Sequence, residues 1–536
     1  MDQELAYNIL DNLQTMQDAV KQMREQYTAG EMQQFNSLSM DLWEGLTAIR
    51  EIAVQNVPEG SRIRLKDASD CALESLKDIR LFAVTAPEKV EWKLEYELMA
   101  IVETMTIQFY YWAVVTEDQS KEHEFLEFLR QTESFALLQI PEDKRKYSVD
   151  LSIQVTGYNH LDYTKQCVDS ILKNLPSDIT TEIVVLNHGS SDGTKDYFEK
   201  MPQVRVINIA VNGAMPCITS KVVSRGEYSL AISNDIIIGK NAIPNLYRCM
   251  IEHENYGYVV PTTPAISNHQ TIFADYDSFT KFEAFAAENN VYDEKRHEQR
   301  VRLCNPLQIM PTGLMLQLSY DMYIDKCCGI NFLSFPDDKN SLWMRRHGYK
   351  CILAKDAYCH HFGAVTLKHD LGKSEEQKQF YLDGRKDFQD KYGVDPWGTG
   401  FCYNYSLFQT WEIPPIDGAN ILGINCGLGS NSLKVKEVMR EKGAQNVTLY
   451  NVTQEERFLE DLKGVSDYAF TFSCLSEIGE MTGRREFDYI VVDDPIAGVP
   501  CEKIAQAIEN AGITCKEIAY NNITDDKWEI YKYQRR

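Results

Sequence analysis

The chain has 536 residues, 44% of them hydrophobic and 25% charged, and an excess of acidic residues (79 against 55 Lys and Arg) gives a net charge of −24. This length predicts roughly two to four domains, and the apolar fraction is sufficient for a large core. The acidic excess excludes general nucleic-acid binding, which needs a basic surface, and excludes docking on anionic lipid by charge.

We predict neither a leader nor a transmembrane segment. The chain opens with Asp2 and Glu4, where a signal peptide is basic, and the apolar stretch 99–115 is short and interrupted by Glu103 and Gln108. The 14 cysteines include no CxxC pair, which is typical of reduced thiols in cytoplasm. We therefore expect a cytoplasmic protein.

Residues 1–140 are predicted to be helical. Apolar residues recur at three- and four-residue steps, the period of one helix face, from Leu5 to Met23 and from Phe35 to Ile49. Further helical patterns lie at 66–84, 89–116 and 120–137. Short polar connections favour an antiparallel bundle. Such a module commonly serves packing or homo-oligomerisation, and acceptor recognition is the alternative.

A charged linker at about 141–149 precedes a change of pattern. Strand, helix, strand, helix, strand is predicted over 151–207, which indicates a parallel sheet covered on both faces, with ligands at the carboxyl ends of its strands. A second break at 411–415 opens another α/β unit, with strands at 421–425, 447–450 and 487–494. The predicted domains are therefore 1–140, 150–405 and 415–536.

The segment 187–194 (NHGSSDGT) directly follows an apolar strand. Its small and short polar residues let the backbone turn tightly and approach a ligand. Ser190, Asp192 and Thr194 are equally suited to capping the next helix. Alone, the segment therefore predicts either a ligand-binding turn or a helix cap.

Ser233, Asn234 and Asp235 end the apolar run 230–232. A carboxylate at a strand end is a good ligand for a hard cation such as Mg²⁺ or Mn²⁺, which it shares with phosphate oxygens. An ordinary turn is the alternative interpretation of these three residues.

Two pairs of titratable residues follow. Asp337 and Asp338 stand next to each other, and paired carboxylates provide a general base when the charge of one raises the pKa of the other. His360 and His361 are suited to completing a metal site or contacting phosphate. The alternatives are a solvated loop for the acidic pair and a structural role for the histidines.

Together and in this order, these segments resemble the inverting GT-A glycosyltransferases of family 2. Residues 154–159 (QVTGYN) are similar to that family's opening strand and turn, 187–194 to its DNGSSDGT turn, and 226–235 to the stretch that ends in its DxD-type metal motif. Residues 329–338, 348–350 and 357–363 resemble its later GgfDe, ED, GYk and HHFG segments. The resemblance implies a GT-A fold and transfer of a hexosyl or deoxyhexosyl group from a nucleotide-diphosphate donor to an acceptor hydroxyl.

The resemblance also implies roles for individual residues. Those implied to bind the donor are Thr156, Tyr158, Asn159, Asn187, Gly189, Ser190, Asp192, Asn212, Ser233 and Asn234. Asp235, helped by His360 or His361, is implied to hold Mn²⁺ or Mg²⁺ on the two phosphates. Asp337 is the implied general base, with Asp338 as the alternative.

Five positions depart from the family pattern. Asn187 replaces an Asp that faces the donor base, and Ser233 replaces the first acid of DxD. Pro336 replaces the Glu of the ED pair, and the Asp and Arg after it are replaced by Lys339 and Trp343. An inactive nucleotide-sugar-binding scaffold is therefore an alternative. The acceptor class implied by the family is bacterial surface polysaccharide, and a flagellin-type protein is the alternative.

The C-terminal unit carries a second resemblance. Residues 421–429 (ILGINCGLG) resemble the first motif of S-adenosylmethionine-dependent methyltransferases, with Gly423 in place of its acid, and 487–494 resemble a later strand. The strand ending at Asn451 lacks the acid that binds the ribose hydroxyls. We therefore expect a degenerate, structural or partner-binding Rossmann-like domain without S-adenosylmethionine. A bifunctional glycosyltransferase and methyltransferase is the alternative.

Overall fold

The computed structural model describes residues 3–57, 65–209, 222–326, 335–363, 375–522 and 527–532. The chain divides into two compact units of mixed helix and strand, in agreement with the predicted α/β class. Unit 1 consists of Met1–Asp169, Ser177–Asp235 and Pro311–Leu333, and unit 2 of Ser170–Pro176, Ile236–Met310 and Ser334–Arg536.

The N-terminal region of unit 1 is helical, which confirms that part of the prediction. Its helices are Gln3–Thr28, Met32–Asn56, Leu65–Thr85, Val90–Lys93, Met99–Tyr110, Glu122–Arg130 and Glu133–Leu138. The apolar stripe of the first helix is buried as its period predicts, with Leu13 and Met23 fully covered. Whether these helices mediate oligomerisation stays a prediction.

The run Pro87–Val115 is continuously helical and includes π-helical turns at Leu94–Leu98 and Tyr111–Val115. It is long and apolar enough to cross a membrane, so the prediction that this region is too short underestimated the length of the helix. However, 72% of its most apolar stretch is buried inside the protein. Leu98 and Val102 pack in one core cluster with the first three helices, as expected for a core helix.

Unit 1 also contains four strands, β1 Val149–Gly157, β2 Thr181–Asn187, β3 Val204–Asn208 and β4 Gly226–Ser233. They pair in the order β3-β2-β1-β4, and every pair is parallel. Helix Leu161–Lys173 connects β1 to β2, helix Thr194–Phe198 connects β2 to β3, and helix Thr312–Lys326 completes the unit. The predicted strand and helix alternation over 151–207 is confirmed, and it aligns the carboxyl ends of β1, β2 and β4.

The first sheet of unit 2 has strands β5 Ile236–Ile238, β6 Tyr256–Thr262, β7 His297–Arg300, β8 Leu307–Pro311 and β9 Lys350–His361. The long strand β9 pairs parallel to β6 and antiparallel to β5 and β7, and β6 pairs antiparallel to β8. The helices beside this sheet are Ala242–Ile251, Phe279–Asn289 and Pro336–Arg346. The last of these begins with the acidic pair.

A second sheet in unit 2 is formed by β10 Asn420–Ile424, β11 Thr448–Thr453, β12 Tyr468–Thr471, β13 Tyr489–Val492, β14 Glu517–Asn522 and β15 Lys527–Lys532. Its order is β12-β11-β10-β13-β14-β15, and β15 alone among these strands is antiparallel to its neighbour. The surrounding helices are Glu375–Tyr392, Tyr405–Thr410, Ser430–Glu441, Leu459–Lys463, Ile478–Met481 and Ile504–Asn510. The predicted strands are present, whereas the methyltransferase-like assignment and the predicted domain boundaries stay predictions.

Candidate active site

The segment 187–194 leaves the end of β2 and leads into helix Thr194–Phe198. Gly189 and Gly193 have φ angles of 74° and 88°, in the left-handed region that favours glycine. A Cβ on Gly193 would meet no heavy atom within 4 Å. Glycine is therefore required there by the backbone conformation, not by lack of space.

Asp192 joins two helix starts in unit 1. Its Oδ1 accepts hydrogen bonds from the hydroxyl and the N–H of Thr194 at 2.6 and 3.2 Å, and its Oδ2 accepts one from the N–H of Leu161 at 2.8 Å. Burial alone would raise the pKa of Asp192, but these hydrogen bonds outweigh it and lower the pKa. Asp192 thus bonds to the first residue of each helix and stays ionised at neutral pH.

Three segments singled out in the sequence are joined by hydrogen bonds at one edge of the unit 1 sheet. The N–H of Asn159 donates to Ser190 Oγ at 2.8 Å, and the N–H of Ser191 donates to Asn159 Oδ1 at 2.9 Å. Asn234 Nδ2 donates to the Asn159 carbonyl at 3.3 Å and to Thr164 Oγ1 at 2.9 Å. The structure therefore brings the first turn, the 187–194 segment and the 233–235 segment together.

Asn187 is only 2% exposed, and both Nδ2 and Oδ1 of its side-chain amide form hydrogen bonds within the protein. Its Nδ2 donates to Asn208 Oδ1 at 2.9 Å, and its Oδ1 accepts from the N–H of Ser190 at 3.2 Å. The N–H and the Nδ2 of Asn208 in turn donate to Glu97 Oε2. Sequence reasoning missed Glu97, because it lies in the helical region with no motif around it.

The remaining donor-side residues lie around the same edge of unit 1. Thr156 is exposed near the end of β1, opposite Ser233 in the strand register, and Tyr158 is partly exposed. Asp235, the predicted metal ligand, is 6% exposed. Asn212, also predicted to bind the donor, lies outside the described residues.

His360 and His361 end strand β9 in unit 2 and pair with β5, the strand that directly follows Asp235 in the chain. His361 Nδ1 lies 2.6 Å from the carbonyl oxygen of Ala265. A carbonyl only accepts, so Nδ1 carries the proton and Nε2 is the basic nitrogen of the neutral ring, as in metal-binding histidines. His360 Nδ1 is 2.7 Å from the Tyr276 hydroxyl, and burial, together with His361, lowers the His360 pKa.

Within the described residues, no group of three or more His, Cys, Asp or Glu side chains could hold a metal ion. A cation bound with a nucleotide diphosphate needs only one or two carboxylates, because phosphate oxygens and water supply its other ligands. The buried carboxylate of Asp235 and the oriented ring of His361 are suitable donor types for Mn²⁺ or Mg²⁺. By donor type, Asp235 therefore fits such an ion within unit 1.

The acidic pair opens helix Pro336–Arg346 in unit 2. Asp338 is 5% exposed, and Arg302 donates to both of its oxygens, from Nε at 2.6 Å and from Nη2 at 3.2 Å. Burial raises the pKa of Asp338 more than Arg302 lowers it. The pair is therefore held against the protein and does not lie in a solvated loop. Sequence reasoning missed Arg302, because a single arginine between two strands forms no recognisable pattern.

Asp337 is partly exposed as a residue, and its carboxyl group lies near Arg302, Asp338, Cys304 and Asn305. Desolvation raises the pKa of Asp337 to about 7, Arg302 opposes this change, and the charge of Asp338 adds to it. The N–H of Asn305 and the thiol of Cys304 also hydrogen-bond to Asp337. A carboxyl group with such a pKa is matched to taking up a proton at neutral pH.

Backbone N–H groups in and directly after the glycine-rich segment 421–429 form hydrogen bonds with carbonyl groups of a preceding part of the chain. The N–H groups of Leu428 and Ser430, at the start of helix Ser430–Glu441, donate to the carbonyls of Thr399 and Gly400 at 3.0 and 3.1 Å. At a cofactor site these groups would face the ligand.

Gly423 and Asn451, the two positions where the methyltransferase motifs have an acid, are both closely packed against other residues of the C-terminal unit. A Cβ on Gly423 would lie 1.9 Å from Asn451 Oδ1. Asn451 is fully buried, accepts from Ser432 Oγ at 2.9 Å and donates to Ser466 Oγ at 2.7 Å.

Comparison with known proteins agrees with the motifs of the central region. Residues 152–305 match the model of the glycosyl transferase family 2. An uncharacterized glycosyltransferase of Mycoplasma genitalium, MG060, is 23% identical over 120 residues, which cover 20% of this chain and 40% of that protein. The chain thus spans less than half the length of this relative.

Two solved structures are also similar to the chain. GalNAc-T7 with UDP, GalNAc and Mn²⁺ has a TM-score of 0.33 and 11% identity, covering 46% of this chain and 50% of that one. The mannosyltransferase PcManGT of Pyrobaculum calidifontis, in complex with GDP-Man and Mn²⁺, has a TM-score of 0.28 and 16% identity, covering 46% of this chain and 67% of that one. These TM-scores are too low for either likeness to support a function.

Proposed function

We propose that this protein is a metal-dependent inverting glycosyltransferase that moves a hexosyl or deoxyhexosyl group from a nucleotide-diphosphate donor to a hydroxyl of a glycan or protein. The observation that carries the proposal is the hydrogen-bonded junction of Asn159, Ser190 and Asn234. It lies at the carboxyl ends of parallel strands, where ligands of such sheets bind. The match of residues 152–305 to the glycosyl transferase family 2 model supports the same reaction class.

The donor is bound by the first turn and the 187–194 segment, while Asp235, with His360 or His361, holds Mn²⁺ or Mg²⁺. When bound, such an ion neutralises the charge that develops on the departing nucleotide diphosphate. The role of His361 is supported by its hydrogen bond to Ala265, which leaves Nε2 as the basic nitrogen.

Asp337 is the general base of the proposed reaction. Its carboxylate accepts the proton of the acceptor hydroxyl while that oxygen forms a bond to the anomeric carbon of the sugar. The bond between this carbon and the diphosphate oxygen breaks at the same time, and attack from the opposite face inverts the configuration. A pKa of about 7 supports the assignment, because the group is both partly ionised and basic enough at neutral pH.

A bacterial surface polysaccharide or a flagellin-type protein is the proposed acceptor, and cytoplasm the proposed compartment. Within the described ranges the cysteines form no disulfide, which is compatible with a reducing compartment.

A thermal-shift panel of UDP-, GDP- and dTDP-sugars, with and without Mn²⁺, tests the proposed donor class. A true donor raises the melting temperature by mass action and does so more strongly with the ion. We expect slow hydrolysis of that donor to the nucleoside diphosphate and free sugar. Binding without hydrolysis or transfer would support the inactive scaffold instead, and no shift with any donor would contradict both.

For the C-terminal unit we propose a structural role without S-adenosylmethionine. The support is that Thr399 and Gly400 already accept the hydrogen bonds of the glycine-rich segment. Calorimetric titration with S-adenosylmethionine should release no heat of binding. Saturable binding at micromolar concentration would favour the bifunctional alternative.

A further inference from the structure

The N-terminal helical region places a charged residue beside the start of the 187–194 segment, which we call the donor turn. Glu97, in the π-helical turn Leu94–Leu98, is fully buried. Its Oε2 accepts hydrogen bonds from the N–H of Asn208 at 2.8 Å and from Asn208 Nδ2 at 3.2 Å. Asn208 ends β3 directly beside Asn187, which ends β2. The carboxylate therefore reaches the sheet edge where the 187–194 segment begins.

Glu97 is fixed in place by buried partners on its other side. Lys93 Nζ lies 2.6 Å from Glu97 Oε2 and 2.6 Å from Glu199 Oε1, and Ser75 Oγ donates to Glu97 Oε1 at 2.8 Å. Burial lowers the pKa of Lys93, but the two carboxylates outweigh it and raise the pKa, so Lys93 stays charged. Glu199 follows helix Thr194–Phe198, so the same cluster holds the chain on both sides of the donor turn.

The carboxylate of Glu97 determines which group donates and which accepts in the hydrogen bonds that link it to Asn208 and Asn187. A carboxylate only accepts, so Asn208 must turn its NH₂ group toward Glu97 and its oxygen toward Asn187. Asn187 must then donate to Asn208, at 2.9 Å, which leaves its own oxygen to accept from the N–H of Ser190 at 3.2 Å. An ionised aspartate at position 187 has no proton to donate to Asn208.

We propose that Glu97 positions the donor turn through Asn208 and Asn187, so that the N-terminal helical region is part of the nucleotide-sugar site. This inference rests on the proposed function and deepens it. It also gives a physical reason for Asn187 at a position where the resembling family has Asp. Glu97 acts as a positioning residue, since it contacts the turn only through other side chains.

Calorimetric titration with UDP, GDP and dTDP in the presence of Mn²⁺, together with melting temperatures, tests this chain of contacts. In Asn187→Asp, Asn208 must turn its NH₂ group toward the new carboxylate, which brings its oxygen against Glu97. We expect this variant to bind the nucleotide about 10- to 100-fold more weakly, as when a residue that orients ligand-binding groups through a hydrogen bond is lost. Glu97→Gln in the same chain should restore most of the affinity, because a glutamine can donate to the turned Asn208.

Glu103→Gln is the matched control. Glu103 is also buried in the N-terminal helical region, but it accepts from the N–H groups of Glu133 and Ser134. Its replacement should leave the nucleotide Kd unchanged, whereas Glu97→Gln alone should weaken binding, because a glutamine both accepts and donates and so no longer fixes the direction in which Asn208 turns. Should Asn187→Asp fail to fold, the comparison of the two glutamine variants decides, and an equal loss in both would overturn the proposal.

The outcomes separate this inference from the proposed function. If the wild-type protein binds none of the three nucleotides, both the proposed function and the role of Glu97 in it are wrong. If the wild type binds one of them and Asn187→Asp binds it equally well, or the double variant is no better than Asn187→Asp, only the role of Glu97 is wrong.

Discussion

Arg302 holds Asp338 by two hydrogen bonds, with Nε 2.6 Å and Nη2 3.2 Å from the two carboxylate oxygens. A guanidinium and a carboxylate joined at two points have a fixed relative orientation. The positive charge of Arg302 also acts on the neighbouring Asp337, where it opposes the rise in pKa caused by burial. The two adjacent carboxyl groups therefore differ, since Asp338 is clamped and Asp337 has a pKa suited to proton transfer.

Replacing Asp337 with Asn should abolish most of the transfer activity while leaving donor binding intact. The amide keeps the shape of the side chain but cannot take the proton, and loss of a general base costs about 10²-fold or more in rate. The measurement is the rate of transfer with a saturating nucleotide-sugar, together with its Kd. Asp390→Asn, in an exposed pair with Lys386, is the control and should change neither. Wild-type turnover by Asp337→Asn would remove this residue from the proposed role.

The pH dependence of the wild-type rate should follow the ionisation of Asp337. The base acts only when it is deprotonated, so kcat/KM should rise as pH increases through about 7 and level off above it. The same profile measured for the donor-hydrolysis reaction, which uses water as acceptor, provides a second readout. A rate that is flat between about pH 5 and 8 would contradict a base with this pKa.

Replacing Arg302 with Met should move that profile to higher pH. Removing the positive charge favours the protonated form of Asp337, so its pKa rises and the rate falls more below neutral pH than above it. The variant also leaves the carboxyl group of Asp338 buried without its partner, at a cost of about 3–5 kcal/mol in stability.

Arg302→Lys separates the two effects of the arginine. It keeps the charge and loses the two-point geometry, so its profile should stay closer to that of the wild type. A Met variant whose profile coincides with the wild-type one would show that Arg302 does not tune Asp337.

The C-terminal end of helix Pro336–Arg346, which begins with the acidic pair, is held by an aspartate of the region 415–536. Asp461 is fully buried and accepts from Arg345 Nη2 at 2.6 Å and from Arg346 Nη2 at 2.8 Å. Asp461→Asn removes the only negative charge of this three-residue cluster and should lower stability by about 3–5 kcal/mol, measured as a fall in melting temperature. Asp390→Asn again serves as the surface control. Equal melting temperatures of the two variants would contradict the anchoring role.

Much of the local structure was predictable, because it follows from short-range patterns. The apolar period of the first helix and the alternation of strands and helices over 151–207 depend on neighbouring residues, and the structure confirms both. The turn at 187–194 was recognisable, since its glycines and short polar residues are required by its backbone.

The groups that tune the site were not predictable in the same way. Glu97 and Arg302 reach Asn208 and Asp338 across long stretches of chain, and no spacing in the sequence records such a contact. The environment that raises the pKa of Asp337 is likewise a product of packing. The pattern of residue types identified the two acids. Only the fold shows that Asp338 is held by Arg302 and that Asp337 is suited to accept a proton.

Gly427, in the glycine-rich segment of the C-terminal unit, provides a test of the closed loop there. Its φ is 55°, and an added Cβ would lie 2.1 Å from the carbonyl oxygen of Thr399, the group that accepts from the N–H of Leu428. Gly427→Ala should therefore displace Thr399 and expose buried hydrogen-bonding groups, at a cost of about 1–3 kcal/mol beyond the backbone strain.

Gly418 is the matched control for that strain, because its φ is 69° and an added Cβ there would meet no atom within 4 Å. Both alanine variants place a side chain in left-handed backbone, but only Gly427→Ala disturbs the contact with Thr399. The melting temperature of Gly427→Ala should accordingly fall further than that of Gly418→Ala. Equal falls would mean that Thr399 moves aside freely, and the segment would then be open to a ligand after all.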